Sequence, residues 1–151
     1  MSMFCYQCQE AAKNEGCTVR GVCGKSPEVS HLQDLLIWLL KGISFWGVRG
    51  RGLGVVDPET DLFVAKALFA TITNANFDPE RFVVLIQEAV TRRDALKARA
   101  QDACKVQRGN ECTEGLPEMA TWVPKTYDVA VLDMKGQLVG VQSDQIGRAH
   151  V

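Results

Sequence analysis

Four of the six cysteines in this 151-residue chain lie close together near its N-terminus. Their spacing is Cys5-x2-Cys8-x8-Cys17-x5-Cys23. Thiolates are soft ligands, so this set could hold an iron–sulfur cluster or a tetrahedral zinc ion. Gly16 and Gly21 permit the tight turns that would bring the two later cysteines back toward the first pair. The sequence therefore predicts a metal-binding loop over the first 25 residues.

Spacing alone leaves the occupant of this loop open. Two disulfides are disfavoured, because a chain with an ordinary core and no secretion signal does not need them. Structural zinc usually has two close cysteine pairs, whereas five residues separate Cys17 from Cys23. This difference favours an iron–sulfur cluster over zinc. Arg20, Lys25 and nearby backbone amides would then offset the negative charge of the cluster.

Composition excludes several classes of partner. The chain has 17 Lys and Arg against 18 Asp and Glu, a net charge of -1, so it lacks the basic excess of a nucleic-acid or anionic-membrane binder. It is 46% hydrophobic and 23% charged, as expected of a globular domain. The apolar run over residues 32–48 is too short and too charged to span a membrane. The first residues resemble no signal peptide, so we expect a cytoplasmic protein.

Three similar signals predict the starts of three helices. Residues 26–28, 57–59 and 78–80 each consist of a capping side chain, a proline and a glutamate. An apolar stripe follows the first start: Leu32, Leu35, Leu36, Leu39, Leu40 and Ile43, with Trp46 one turn later. The glycine-rich residues 47–54 are predicted to be a connection rather than helix.

The two later helices have weaker apolar faces. The second is predicted to bury Phe63, Ala67, Ala70 and Asn74 and to end at residues 74–77. The third is predicted to reach Cys104, with a buried face formed by Phe82, Ile86, Ala89, Arg93, Leu96 and Ala100. Residues 106–117 resemble a linker, and partial alternation over residues 128–141 predicts a weak hairpin.

These elements predict a mainly α fold. The helices form an antiparallel bundle, with an N-terminal cysteine-rich loop and an irregular or weakly β C-terminal segment. We divide the chain into the cluster-binding loop (1–25), a three-helix bundle (26–105), an irregular segment (106–145) and a tail (146–151). The tail resembles a translated sequencing adapter, so we leave it out of the fold prediction.

Four segments resemble the start of the hybrid-cluster protein family, also called prismane proteins or hydroxylamine reductases. They are MFCYQCQE from Met3, GCTVRGVCGK from Gly16, LQDLLI from Leu32 and FATITNANFD from Phe69. The resemblance covers about the first hundred residues. It implies that Cys5, Cys8, Cys17 and Cys23 bind a 4Fe-4S cluster, because the family's longer cysteine spacings belong to a 2Fe-2S type.

The resemblance also implies an oxidoreductase that reduces hydroxylamine to ammonia and water and, by a related proposal, reduces nitric oxide. In the family this chemistry occurs at a hybrid iron–sulfur–oxygen cluster, whose His, Glu and Cys ligands come from beyond residue 151. A redox donor protein supplies the electrons, and its identity is open. This chain alone is then expected to be inactive. The alternative is a stand-alone iron–sulfur or zinc binding module without catalysis.

Family members are several times longer and contain a second helical bundle. We therefore expect this chain to be the front part of such a protein. The apolar stripe of the first helix, Leu35, Leu36, Leu39 and Ile43, should then be partly exposed and favour self-association.

Several other residues could carry chemistry but have simpler interpretations. Cys104 and Cys112 match no family motif and are interpreted as ordinary thiols. His31 is interpreted as a solvated surface histidine. The aromatic residues Trp38, Phe45 and Trp46 are assigned to the core, and the carboxylates Glu10, Glu28 and Asp34 to polar faces and caps.

Overall fold

The computed structural model describes residues 3–72 and 75–141. Within these ranges the chain is mainly helical, as predicted. Its helices are α1 (Pro27–Arg51), α2 (Pro58–Ile72), α3 (Pro79–Arg108) and α4 (Val129–Val139), with 3₁₀ turns at Ala12–Asn14 and Glu118–Ala120. None of these helices is both long and apolar enough to cross a membrane. The suggested tail at residues 146–151 and the predicted helix end at Asn74 lie outside the described residues.

The three helix starts predicted from the sequence are confirmed. The Ser26 hydroxyl accepts a hydrogen bond from the Val29 amide at 3.2 Å. Carboxylates do the same for the two following helices: Asp57 accepts from the Thr60 amide and Asp78 from the Glu80 amide, each at 3.0 Å. Each cap satisfies an amide that has no partner inside its helix.

Helix α1 continues through most of the segment predicted to be a connection. That prediction was wrong, because the helix ends at Arg51. A side chain at Gly47 would make an ordinary contact with Leu96 of α3, and one at Gly50 would do so with Val55. Packing against these neighbours offsets the roughly 1 kcal/mol that each glycine costs in helix propensity.

The first three helices run up, down and up. Leu96 of α3 packs beside Gly47 of α1, and the Gln107 side chain donates to the Leu53 carbonyl at 2.8 Å. These contacts join equivalent ends of α1 and α3, so those two helices run in the same direction. Helices α1 and α3 pack directly on each other, and α2 runs in the opposite direction, with Asp57 at its start pairing with Arg99 of α3 at 2.8 Å.

The C-terminal part contains a helix where a hairpin was predicted. Asp128 caps α4 by accepting from the Ala130 amide at 2.9 Å. Leu132, Asp133 and Gly136 are buried, which is a helical rather than an alternating period. The hairpin prediction was wrong because the apparent alternation of this short segment concealed a face that packs on α1.

The apolar stripe of α1 is covered by other parts of the chain, including α4. Leu35, Leu36 and Leu39 are 0% exposed and Ile43 is 2% exposed, so the expectation of a partly open stripe was wrong. Helices α3 and α4 and the Glu118–Ala120 turn pack on α1. Helix α2 keeps several apolar side chains exposed, and its Leu62, Phe69 and Ile72 are each more than half exposed.

Two buried polar side chains fasten the Glu118–Ala120 turn to the helices. Trp46, fully buried, donates its indole N–H to the Ala120 carbonyl at 2.8 Å. Arg93, also fully buried, donates to the carbonyls of Met119 at 3.2 Å and Trp122 at 2.5 Å. The assignments of Trp46 to the core and of Arg93 to the buried face of α3 are confirmed.

Candidate metal-binding loop

The first part of the loop is held by backbone pairing between its two ends. The Cys5 amide donates to the Cys17 carbonyl at 3.0 Å, and the Cys17 amide donates back to the Cys5 carbonyl at 2.9 Å. A further bond joins the Met3 amide to the Thr18 carbonyl at 3.1 Å. Cys5 and Cys17 are therefore directly opposite one another, as in an antiparallel pair.

The return from Cys8 to Cys17 depends on one glycine. Gly16 has φ = +133°, and a side chain there would lie 2.5 Å from the Phe4 Cε2 atom and 2.9 Å from Cζ. Both the backbone angle and the aromatic contact require glycine. The predicted turn role of Gly16 is thus explained by the structure.

A second turn carries Cys23. The Gly21 amide donates to the Lys25 carbonyl at 2.9 Å, and the Gly24 amide donates to the Gly21 carbonyl at 2.8 Å. Lys25 is connected to the first part of the loop, because its Nζ donates to Cys5 Sγ at 3.5 Å and to Gln7 Oε1 at 3.0 Å. The loop segments bearing Cys5, Cys17 and Cys23 are therefore linked.

All four cysteines of the loop are free of disulfides. Cys17 is buried, and Cys5, Cys8 and Cys23 are partly buried. No three potential ligands converge on one point anywhere in residues 3–72 and 75–141. Four free thiols on one folded loop are the soft donor set that an iron–sulfur cluster or a zinc ion takes.

Helix α1 begins immediately after the loop and contributes a histidine to a buried histidine–carboxylate contact near its start. His31 Nδ1 lies 2.8 Å from Asp133 Oδ1 on α4, and both residues are buried. Gln137 donates to the second Asp133 oxygen at 2.7 Å. The interpretation of His31 as a solvated residue was wrong, because its partner lies 102 positions away and no local pattern points to it.

The sequence did not reveal that the Asp34 carboxyl is largely buried. It lines a surface cavity of about 160 Å³ together with Cys5, Trp38 and Lys41. Burial raises the pKa of Asp34 to about 7, although the positive charges of His31, Lys25 and Lys41 oppose the rise. Its assignment to a polar helix face missed this burial, which the covering loop and α4 produce.

The two downstream cysteines are joined to each other. Cys104 and Cys112 form a disulfide between the last turns of α3 and the following loop, with their Cα atoms 6.1 Å apart. Their interpretation as ordinary thiols was wrong. Arg49 holds the same loop to α1, donating to the Cys112 carbonyl at 2.6 Å and to the Glu114 carbonyl at 3.0 Å.

The fold and the loop together define a helical domain that presents four free cysteines at the N-terminal end of its central helix. Comparison with known proteins identifies the family to which this domain belongs. The chain belongs to the Prismane/CO dehydrogenase family, whose family model matches residues 3–135.

Relatives with curated names agree with this assignment. The chain is 54% identical over 143 residues to a protein named hydroxylamine reductase from Halothermothrix orenii, covering 95% of this chain and 25% of that protein. It is 49% identical over 143 residues to a hydroxylamine reductase of Thermosipho melanesiensis, covering 95% of this chain and 26% of the relative. A hydroxylamine reductase of Nitratidesulfovibrio vulgaris is 48% identical over 139 residues, covering 92% of this chain and 25% of the relative. The chain thus spans about a quarter of the length of these relatives.

Proposed function

We propose that this chain is the N-terminal iron–sulfur domain of a hydroxylamine reductase. Cys5, Cys8, Cys17 and Cys23 would bind a 4Fe-4S cluster, which supplies one-electron transfer when bound. The observation that carries the proposal is the set of four free thiols on one hydrogen-bonded loop. The names of the relatives support the reaction class.

In the full-length protein, electrons would pass from a redox donor protein through this domain to the hybrid cluster. Reducing hydroxylamine to ammonia and water takes two electrons and two protons, and nitric oxide is a second candidate substrate. The role of this chain is to provide the cluster ligands and to shield them from water. Burial of Cys17 restricts the access of water to that ligand, whereas Cys5, Cys8 and Cys23 are only partly buried. We further propose a cytoplasmic location and treat residues 1–25 as the cluster-binding unit of the domain.

The test is anaerobic reconstitution of the chain with iron and sulfide, followed by metal and sulfide analysis. We expect close to four irons and four sulfides per chain, with broad visible absorption. Cys8→Ser should lose the cluster, because a hydroxyl is a poor iron ligand at neutral pH. The double Cys104→Ser, Cys112→Ser variant, which changes no cysteine of the loop and leaves no new free thiol, is the matched control and should keep it. Zinc bound without sulfide would instead support the stand-alone zinc module.

A second measurement concerns activity. The reconstituted chain should not reduce hydroxylamine with a chemical electron donor, because the hybrid-cluster ligands belong to the remainder of the full-length protein. Turnover above that of the Cys8→Ser variant would contradict this division of labour.

A further inference from the structure

Lys25 is buried in a way that its hydrogen bonds alone do not explain. It is 2% exposed, which is rare for a lysine without a charged partner. Its ammonium group donates to Cys5 Sγ at 3.5 Å and to Gln7 Oε1 at 3.0 Å. These contacts satisfy two of its three donor positions but provide no carboxylate.

No carboxylate neutralises this buried charge at short range. None of the ion pairs found between residues 3–72 and 75–141 includes Lys25. The carboxylate that interacts with Lys25 over a longer distance is Asp34, whose pKa of about 7 leaves it only partly charged near neutral pH. An uncompensated buried ammonium is costly, so its environment must supply negative charge. The group in contact with it is the sulfur of Cys5.

The backbone of Lys25 also organises the second part of the loop. Its carbonyl accepts from the Gly21 amide and closes the turn that carries Cys23. A side chain at Gly21 would lie 2.9 Å from Lys25 Cβ and 3.1 Å from Cys23 Sγ, so the stem of Lys25 packs closely against this turn. One residue thus contacts Cys5 with its charged end and supports Cys23 with its backbone.

We propose that Lys25 is a positioning and charge-compensating residue that sets the reduction potential of the group bound by the loop. This inference rests on the proposed function. One-electron reduction adds a negative charge beside the buried ammonium, and a nearby positive charge stabilises the reduced state more than the oxidised state. Lys25 therefore raises the midpoint potential of the loop-bound cluster, while its two hydrogen bonds keep Cys5 and Gln7 in register with the Cys23 turn.

The experiment compares midpoint potentials of the reconstituted chain with those of three variants. Lys25→Met removes charge and hydrogen bonds, whereas Lys25→Gln keeps a donor without the charge. Lys41→Met is the matched control, because the exposed Lys41 lines the same cavity as Cys5 without contacting its sulfur in any hydrogen bond.

We expect Lys25→Gln and Lys25→Met each to lower the midpoint potential by at least about 59 mV. This shift corresponds to a tenfold change in the ratio of reduced to oxidised protein at a fixed potential. Lys41→Met should shift it much less. If Lys25→Met fails to hold the cluster, Lys25→Gln still gives the potential, and Lys25→Arg should restore it toward the wild-type value. A merely structural lysine would affect cluster content without moving the potential of the loaded protein.

The outcomes separate the two proposals. Wild-type protein that binds no sulfide-bridged iron overturns the proposed function. Wild-type protein that is fully loaded, with Lys25→Gln at the same potential as Lys41→Met, overturns the inference about Lys25 and leaves the proposed function standing.

Discussion

Replacing Gly136 by alanine should displace α4 from α1. A Cβ at this position would lie 2.6 Å from the carbonyl carbon of His31 and closer still to its oxygen. These are backbone atoms of α1, so no side chain can rotate out of the way. Helix α4 would have to retreat by about 1 Å to restore ordinary contact distances, and this loosens packing along the whole interface.

The size of the effect follows from three opposing terms. Alanine gains about 1 kcal/mol over glycine in helix propensity. Overpacking of this kind costs about 1–3 kcal/mol. The displacement also stretches the buried His31–Asp133 pair, which is 2.8 Å long, and removing one partner of such a pair costs about 3–5 kcal/mol. With the pair stretched rather than lost, we expect a net loss of about 2–4 kcal/mol, against a typical domain stability of about 5–15 kcal/mol.

The assay is urea unfolding of the reconstituted chain, followed by far-UV circular dichroism and tryptophan fluorescence. Trp38 reports on the interface directly, because Lys135 of α4 lies 4.7 Å from its ring centroid. Gly52→Ala is the matched control: Gly52 has an ordinary φ of -62° and no neighbour nearer than 3.5 Å, so its replacement should change stability by less than about 0.5 kcal/mol. Equal stability of the Gly136→Ala and Gly52→Ala variants would refute the packing argument.

Three other predictions concern groups that the fold buries or links. Because the pKa of Asp34 is raised from 3.8 to about 7, the native chain keeps a proton that the unfolded chain releases; stability should therefore fall by about 4 kcal/mol as the pH rises from about 4 to 7, and Asp34→Asn should remove that slope. The Cys104–Cys112 disulfide closes a loop across a separation of 8 residues, so reduction should cost about 2–3 kcal/mol in thermal or urea unfolding. A double Cys104→Ser, Cys112→Ser variant should not respond to reductant, and two alkylatable thiols in the unreduced chain would contradict the disulfide. Both amide atoms of Gln33 are buried without a partner in the described part of the chain, so Gln33→Met should be neutral or stabilising, and a loss above about 1 kcal/mol would disprove this.

Local chemistry determined the features that the sequence predicted correctly. A capping side chain, a proline and a glutamate act within one helical turn, so the starts of α1, α2 and α3 could be located without knowing any distant contact. The cysteine loop is likewise local, since its four cysteines fall within residues 5–23. The buried faces of α1 and α3 followed from apolar spacing because both helices are long enough to show a clear period.

Tertiary packing decided the rest, because the partners lie far apart in the chain. Helix α4 is short and forms its buried face only against α1, so its own residues could be mistaken for a hairpin. The same contact buries His31 beside Asp133 and, together with α3 and the Glu118–Ala120 turn, covers the stripe that looked open. The buried position of Lys25 also depends on the folded loop, since Lys25 and its sulfur partner are separated by 20 residues. A sequence pattern shows which side chains a segment carries. Burial and charge pairing depend on which other segments pack against it in the folded chain.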